Sequence, residues 1–197
     1  MKILEAQFIM SVNNYRERKQ FDIGEVCFIG RSNVGKSSAI NALVNRKIAR
    51  ISSTPGATRM INLYKVHYEY EAKKDWLIFS DFPGFGYSKV SKGTYEGWMD
   101  SVERYIQENI HIKRLIWIFD VRRDPDRLDD MLVQWMTYIR IGFTVVLTKV
   151  DKETRNNRGR KRDIFEKYVK NSPVFLFSSK DGYGKEELLS HILTSDL

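Results

Sequence analysis

The sequence contains little cysteine and no long hydrophobic run. Its single cysteine, Cys27, excludes an intramolecular disulfide and a thiolate metal cluster. Because Cys27 lies in the apolar run 26–29, we expect its side chain to be buried and unreactive. The apolar stretches are far shorter than the roughly 20 residues that span a bilayer, and the N-terminus lacks an apolar leader with a small-residue cleavage site. These absences predict a cytoplasmic protein without a membrane partner.

Acidic residues are outnumbered by basic ones. The chain has 25 Asp and Glu against 33 Lys and Arg, which leaves a net charge of +8. This excess favours polyanionic partners but does not name one. The 197 residues, 42% hydrophobic and 29% charged, have the size and composition of one globular domain. We expect residues 1–197 to form a single monomeric domain, with residues 1–20 as a short N-terminal extension.

Short apolar runs alternate with longer segments of helical periodicity, which is typical of an α/β protein with a mostly parallel sheet. The expected sheet has six strands and is flanked on both faces by about five helices. The predicted strands are 26–29, 62–70, 76–80, 114–119, 143–147 and 174–177, with 62–70 as the edge strand. The predicted helices are 36–45, 95–109, 127–139, 160–171 and 185–193. Segments 46–59 and 83–93 are expected to be mobile loops.

A phosphate-binding loop is indicated between the first strand and the first helix. Residues 30–37, GRSNVGKS, match G-x-x-x-x-G-K-S in the strand–helix context that this motif requires. Backbone N–H groups and the helix N-terminus bind phosphates there, while Lys36 bridges β- and γ-phosphate oxygens and Ser37 binds Mg²⁺. A chance glycine turn with a solvated lysine is the alternative, and four specified positions in context argue against it. The predicted nucleotide-binding residues here are Gly30, Arg31, Ser32, Asn33, Val34, Gly35, Lys36, Ser37 and Ser38.

The residues 81–84, DFPG, follow a predicted strand, where a carboxylate faces the ligand crevice of an α/β sheet. We expect Asp81 to hold Mg²⁺ through water and the Gly84 N–H to contact the γ-phosphate. A hydroxyl between the first helix and the second strand is expected to complete the Mg²⁺ shell. Thr58 is the first candidate for this role and Thr54 competes with it; a polar turn with local hydrogen bonds remains open for this segment.

A base-binding motif closes the fifth predicted strand. Residues 148–151, TKVD, place a carboxylate where it accepts from guanine N1–H and the 2-amino group together, a pair of donors that adenine lacks. Asp151 is therefore predicted to determine guanine specificity, and the Lys149 stem to cover one face of the base. After the last strand, Ser178, Ser179 and Lys180 are expected to present a backbone N–H to guanine O6.

The ordered motifs GRSNVGKS, STPGAT, DFPGFGYSKV, TKVD and SSK resemble the translation-factor-like branch of P-loop GTPases, and most closely the EngB family, also called YihA or YsxC. The resemblance covers nearly the whole chain. It implies the P-loop GTPase fold, hydrolysis of GTP to GDP, and a role in late assembly of the large ribosomal subunit, linked to bacterial growth and cell division. The implied partners are GTP or GDP and the large ribosomal subunit with its rRNA.

Some positions depart from the wider GTPase pattern. Thr148 stands where many GTPases have Asn, and it lacks the amide that bonds the base and the phosphate loop. Ser179 stands where Ala is usual. We therefore expect weaker base affinity and nucleotide exchange without a dedicated factor.

The residue after DFPG is Phe85, where many GTPases have a Gln that orients the attacking water. Slow intrinsic turnover is expected, with Lys36, Gly84 and Asn33 as the predicted catalytic residues. Related GTPases with Asn in the phosphate loop bind K⁺ there, so the resemblance implies this role for Asn33. The alternative is that Asn33 joins the two switch loops by hydrogen bonds.

Two basic clusters are candidates for contacts with RNA phosphates. Residues 155–162 carry five positive charges, and four more flank the first switch: Arg46, Lys47, Arg50 and Arg59. A solvated helix start is the alternative for the first cluster. Other functions also stay open: a G domain that regulates tRNA modification or metal transport, an ATP-dependent kinase, and a nucleotide-stabilised binding module without turnover.

Overall fold

Seven strands form one sheet in the computed structural model, which describes residues 1–18, 21–50, 60–85, 92–170 and 172–194, without the side chains of 92–96, 98 and 99. The strands are β1 (Lys2–Val12), β2 (Glu25–Gly30), β3 (Ile61–Tyr70), β4 (Lys73–Asp81), β5 (Ile112–Asp120), β6 (Phe143–Thr148) and β7 (Val174–Leu176). The helices are α1 (Lys36–Val44), α2 (Lys92–Glu108), α3 (Arg127–Tyr138), α4 (Arg155–Val169) and α5 (Lys185–Thr194).

The sheet order is β1-β3-β4-β2-β5-β6-β7. Strands β4, β2, β5, β6 and β7 run parallel, whereas β3 is antiparallel to both β4 and β1. This confirms the predicted α/β class and the mostly parallel sheet, and each of the six predicted strands and five predicted helices is present near its expected bounds.

The strand count and the edge assignment were wrong. Residues 2–12, expected to be part of an extension, form the edge strand β1, so that β3 lies inside the sheet between β1 and β4. The register between β1 and β3 shifts at Ile3/Glu5 and at Phe8/Met10. Such bulges interrupt the alternation of inward and outward side chains, and that alternation is the signal by which a strand is predicted from sequence.

Helix α4 begins five residues before its predicted start. Thr154 caps it, since the Thr154 side chain accepts a hydrogen bond from the Asn157 N–H at 3.3 Å. The first two turns are strongly basic, and the buried residues of the helix, Phe165 and Val169, lie in its second half. Apolar periodicity therefore starts late, although the helix itself starts at Arg155.

Two apolar cores cover the two faces of the sheet. In β2, Cys27 and Ile29 face the core beneath α2, α3 and α4, while Val26 and Phe28 face the core beneath α1 and α5. Cys27 is fully buried, as predicted, and burial together with the nearby Glu25 carboxylate raises the pKa of its thiol. The aromatic side chains of Tyr64, Tyr68, Trp117 and Trp135 are buried in these cores, and the Trp98 side chain lies outside the described residues.

The carboxyl ends of the parallel strands meet at one edge of the sheet. Gly30 ends β2, Asp81 ends β4, Asp120 ends β5 and Thr148 ends β6. In open α/β sheets this edge forms the ligand crevice. Among the described helices, none is long and apolar enough to cross a membrane.

Candidate functional site

The phosphate loop leads directly from β2 into α1. A Cβ atom at Gly30 would lie 2.6 Å from the Ile118 carbonyl oxygen, so a larger residue does not fit beside β5. Gly35 caps α1 with a φ of 98°, a left-handed conformation that favours glycine. The Gly35 carbonyl accepts a hydrogen bond from the Ala39 N–H at 2.8 Å. The two glycines thus allow a tight backbone loop with the helix N-terminus at its end, which is an anion-binding geometry.

The predicted phosphate and metal ligands lie together at the start of α1. The Lys36 ammonium pairs with Oδ1 of Asp81, and both side chains are buried. The Ser37 hydroxyl donates a hydrogen bond to Oδ2 of Asp81 at 3.3 Å. A hydroxyl and a carboxylate are the hard oxygen donors that Mg²⁺ prefers, so this pair of residues fits a metal bound with a nucleotide. Thr58 and its competitor Thr54 lie outside the described residues.

The beginning of the second switch lies against the phosphate loop. The Ser32 N–H donates to the Phe85 carbonyl at 3.1 Å, and the Phe85 N–H donates to the Gly30 carbonyl at 3.3 Å. A Cβ atom at Gly84 would lie 2.9 Å from the Ser32 nitrogen, so the close approach depends on glycine. Phe85 itself belongs to the core beneath α2 and is buried. The sequence 86–90 lies outside the described residues.

Thr148 contacts the phosphate loop in place of the usual Asn. Its hydroxyl oxygen lies 2.6 Å from the Val34 carbonyl oxygen and 3.0 Å from that of Phe119. Thr148 lacks the amide of an asparagine, but its hydroxyl still links β6 to the phosphate loop. A hydroxyl is short, but β6 ends close enough to the loop for it to make the link.

Lys149 lies between the base-binding motif and the phosphate loop. Its ammonium donates to the Asn33 carbonyl at 2.7 Å and lies 2.9 Å from Oδ2 of Asp120. The Lys149 backbone has a φ of 60°. The Asn33 backbone is also left-handed and its side chain is exposed. The Lys149 ammonium therefore joins the phosphate loop to the end of β5.

The Asp151 carboxylate is oriented by the loop after β7. The Ser178 hydroxyl donates to Oδ1 of Asp151 at 3.0 Å and accepts from the backbone N–H groups of Lys180 and Asp181, at 3.2 and 3.4 Å. Ser178 is buried, whereas Ser179 and Lys180 are exposed. One hydroxyl thus joins the predicted base-reading carboxylate to the predicted O6-binding loop.

The remaining loop residues face different neighbours. The Arg31 guanidinium lies 2.5 Å from the Asp126 carboxylate at the N-terminus of α3, so its side chain extends away from α1. Ser38 lies in the first turn of α1 and is half-buried. Among the described residues, no group of three or more His, Cys, Asp and Glu is placed to hold a metal ion.

Two residues of the site were missed by the sequence reasoning. Asp120 is buried at the end of β5 and accepts from Nε and Nη2 of Arg122, at 2.9 and 2.7 Å, as well as from Lys149. Burial alone would raise the pKa of Asp120, but hydrogen bonds from Arg122 and Lys149 outweigh it and lower this pKa to about 2. The rule that identified Asp81, a carboxylate at the carboxyl end of a strand, also applies to Asp120.

Known proteins resemble this chain in sequence and in structure. The family described as "50S ribosome-binding GTPase" matches residues 25–149. The "Probable GTP-binding protein EngB" of Thermotoga maritima is 45% identical over 175 residues, which cover 87% of this chain and 86% of that protein. The protein of the same description from Aquifex aeolicus is 40% identical over 173 residues, covering 87% and 91%.

Among solved structures, Era from Aquifex aeolicus bound to GDP and AlF₄⁻ superposes with a TM-score of 0.72 at 26% identity, covering 89% of this chain and 57% of that chain. A crystal structure of a probable GTP-binding protein engB superposes with a TM-score of 0.66 at 24% identity, covering 86% and 97%. The order of the site motifs, the P-loop GTPase fold and relatives at 40% identity or more therefore agree. The chain belongs to the EngB family of GTP-binding proteins and is a GTPase.

Proposed function

We propose that this GTPase acts as a nucleotide-controlled switch in assembly of the large ribosomal subunit, in the cytoplasm and as a monomer, with a link to bacterial growth and division. The observation that carries the ribosomal part is the match of residues 25–149 to a family described as a 50S ribosome-binding GTPase. The nucleotide part rests on the convergence of the phosphate loop, Asp81 and the base motif at one sheet edge.

Each predicted site residue has a role in this proposal. Loop N–H groups of residues 30–38 bind the phosphates, and Asp151 with the 178–180 loop reads guanine. Mg²⁺ bound with the nucleotide neutralises charge between the β- and γ-phosphates, and Ser37, Asp81 and Thr58 are the residues that would hold it.

Lys36 changes partner when a triphosphate binds. Its ammonium is paired with Asp81, and both groups are buried. A phosphate oxygen in the loop offers the ammonium a second anion, so the lysine can turn to the β- and γ-phosphates. The Asp81 carboxylate, which lies 3.3 Å from the Ser37 hydroxyl while it is paired with Lys36, would then be available to the metal.

Water activation needs a group other than a glutamine side chain, because Phe85 is buried in the core and has no hydrogen-bonding group. Intrinsic turnover should therefore be slow. A K⁺ ion held by Asn33 would stabilise negative charge in the transition state, and the exposed position of the Asn33 side chain leaves it accessible. Turnover in K⁺ and Na⁺ at equal ionic strength, for wild type and Asn33→Ala, tests this role. Equal rates in both salts would exclude the ion.

The N-terminal half of α4 offers a surface for rRNA phosphates. Its exposed basic residues are Arg155, Arg160 and Arg162, and Arg46, Lys47 and Arg50 near α1 are also exposed. Such a surface binds polyanions by releasing counterions, and binding of this kind weakens as salt rises.

Co-sedimentation with purified large ribosomal subunits tests the proposal. We expect more protein to pellet with a non-hydrolysable GTP analogue than with GDP, and pelleting to decrease steeply from 50 to about 200 mM salt. Arg155→Glu with Arg160→Glu should abolish it, while the matched control, Lys73→Glu with Lys74→Glu at the exposed start of β4, should not. Equal pelleting in both nucleotide states would refute the switch, and equal loss in the two charge variants would refute the α4 surface.

A further inference from the structure

We propose that Asp120 is a positioning residue for guanine nucleotides: it holds the Lys149 ammonium so that the lysine stem is in place before the base binds. The inference rests on the proposed role of Lys149 in covering the base. It assigns a function in nucleotide affinity to a side chain that does not itself contact the nucleotide.

The fold places Asp120 beside the base motif. Asp120 is the last residue of β5 and pairs in register with Thr148, the last residue of β6. The Val121 N–H donates to the Thr148 carbonyl at 3.1 Å, which keeps the two strand ends together. Since Lys149 follows immediately, its ammonium reaches Oδ2 of Asp120 at 2.9 Å.

The Lys149 side chain needs an acceptor such as Asp120 to fix its position, because its stem is flexible. Fixing a long charged side chain costs conformational entropy. Here the Lys149 ammonium is held by two acceptors, the Asn33 carbonyl at 2.7 Å and the Asp120 carboxylate. The stem runs along the phosphate loop, where a Cβ atom at Gly35 would lie 3.7 Å from the Lys149 Cε. With the stem already ordered, a guanine ring can pack against it without that entropic cost.

Asp120 is itself held in place. Arg122 donates to its two carboxylate oxygens from Nε and Nη2, and the Arg122 backbone N–H lies 3.1 Å from Oδ1. This forked contact is a strong, directional arrangement for an arginine and a carboxylate. Asp120 is 5% exposed. The carboxylate therefore has a defined orientation, with Oδ2 directed at Lys149.

A purely structural role for Asp120 makes a different prediction. A carboxylate that accepts from the backbone N–H two residues later also stabilises a turn by itself. In that case its removal would disturb the loop after β5 whether or not Lys149 is present. A double-mutant cycle separates the two roles, because it measures whether the effect of Asp120 depends on Lys149.

The experiment is a titration of GDP and GTP into four proteins: wild type, Asp120→Asn, Lys149→Ala and the double variant. Asparagine keeps the shape of the side chain but removes its charge. We expect Asp120→Asn to raise Kd for both nucleotides roughly tenfold when Lys149 is present, because the bond to the lysine ammonium loses one of its two charges. In the Lys149→Ala background, the same substitution should change Kd less than about twofold.

Asp124→Asn is the matched control. This carboxylate lies in the same loop, is exposed, and pairs with Lys161 at 2.6 Å instead of with Lys149. It should leave Kd unchanged in both backgrounds. Arg122→Gln supplies a second variant in case Asp120→Asn unfolds: it loosens the carboxylate without removing it, so it should raise Kd several-fold in wild type and not in Lys149→Ala.

Thermal melting of the nucleotide-free proteins verifies that each variant is folded. If Asp120→Asn raises Kd by the same factor in both backgrounds, or does not change it in wild type, the positioning role is refuted. The titrations contain no ribosomal subunits, so their outcome is independent of the proposed ribosomal role.

Discussion

Two buried ion pairs lie at opposite ends of β2, and the protein surrounds them differently. At the amino end, Arg18 Nη2 lies 2.9 Å from Oε2 of Glu25. At the carboxyl end, Lys36 pairs with Asp81, and the described partner of that carboxylate besides Lys36 is the Ser37 hydroxyl. The first pair lies far from the site edge of the sheet, and the second lies in the phosphate cradle.

The Glu25 carboxylate is saturated by donors from separate segments. Besides its ion pair with Arg18, it accepts hydrogen bonds from the Ser80 hydroxyl, from the Tyr105 hydroxyl at 2.8 Å and from Nδ2 of Asn109 at 2.8 Å. These contacts join β2, β4, α2 and the segment before β2 at one point. Burial and the nearby Glu25 charge raise the pKa of Tyr105, so its hydroxyl remains a donor.

The Arg18 guanidinium is less well paired than Glu25. Within the described residues, none of its three nitrogens has a hydrogen-bond acceptor in good geometry, and Nη2 makes only the ion pair with Glu25. The rings of Tyr15 and Phe21 stand 5.7 Å from its central carbon. Aromatic faces stabilise a cation at this distance. A saturated carboxylate such as Glu25 serves the fold, whereas Asp81, to which Lys36 and Ser37 are the described side-chain donors, leaves its ion pair free to exchange with a ligand.

The largest expected effect is on the saturated pair. Glu25→Gln should lower the free energy of unfolding by about 3–5 kcal/mol, because it leaves Arg18 buried without a counter-charge. Urea denaturation measures the loss, with Glu5→Gln, an exposed acid of β1, as the control. Nucleotide affinity should not change at temperatures where the variant is folded. A decrease in the free energy of unfolding of less than about 1 kcal/mol would show that the two buried ion pairs do not differ as described.

The next effect is on the exchangeable pair. Lys36→Ala should weaken GTP binding by at least about a hundredfold, since a charged bond to the phosphates is lost. Its effect on unfolding should be smaller than that of Glu25→Gln, because truncation admits water beside Asp81 and the Ser37 hydroxyl remains. Isothermal titration and urea denaturation measure the two effects. If Lys36→Ala lowered stability as much as Glu25→Gln and left GTP affinity unchanged, the Lys36–Asp81 pair would be structural and not exchangeable.

A smaller effect is expected at the base-reading carboxylate. Asp151→Asn should shift the preference from GTP towards xanthosine triphosphate by about 1–3 kcal/mol, because the amide N–H₂ donates to the O2 that replaces the 2-amino group of guanine. Competition binding measures the ratio of the two affinities, and thermal melting should be nearly unchanged. Retention of full GTP preference would remove Asp151 from the base site.

The smallest expected effect is on the stability of the protein at acidic pH. Asp120 has a folded-state pKa of about 2, below its ordinary value of 3.8, so it stabilises the fold above pH 4 and this contribution is lost as pH falls towards 2. Solvent partly screens the interactions of the Asp120 carboxylate with Arg122 and Lys149. We therefore expect this contribution to the free energy of unfolding to be about 1–2 kcal/mol. Urea midpoints at pH 5, 4 and 3 should fall less in Asp120→Asn than in wild type. If the urea midpoint fell equally with pH in wild type and in Asp120→Asn, this contribution of Asp120 would be contradicted.

Contiguous patterns allowed most of the fold and site to be predicted. The phosphate loop is read from eight adjacent residues, and Asp81 and Asp151 are recognised because each follows an apolar strand. Strand β1 was missed because its two register shifts disturb the alternation on which strand prediction depends. The early start of α4 was missed because its first turns are solvated and carry little apolar signal.

Contacts between distant segments were beyond the reach of such patterns. Arg18, Glu25, Ser80, Tyr105 and Asn109 have no common spacing, and they meet because β2, β4 and α2 pack together. In the same way, the bond from the Thr148 hydroxyl to the phosphate loop depends on the short distance between the end of β6 and that loop.

The amino-acid sequence by itself determined the α/β class of this GTPase and the order of its nucleotide-binding motifs, because the groups predicted to contact phosphates and base follow strands at recognisable spacings. The tertiary structure alone decided how the charges at that edge are paired. It brings Asp120 to Lys149 and Lys36 to Asp81. Electrostatic pairing depends on distances of a few ångströms between strand ends, and these distances are set by packing.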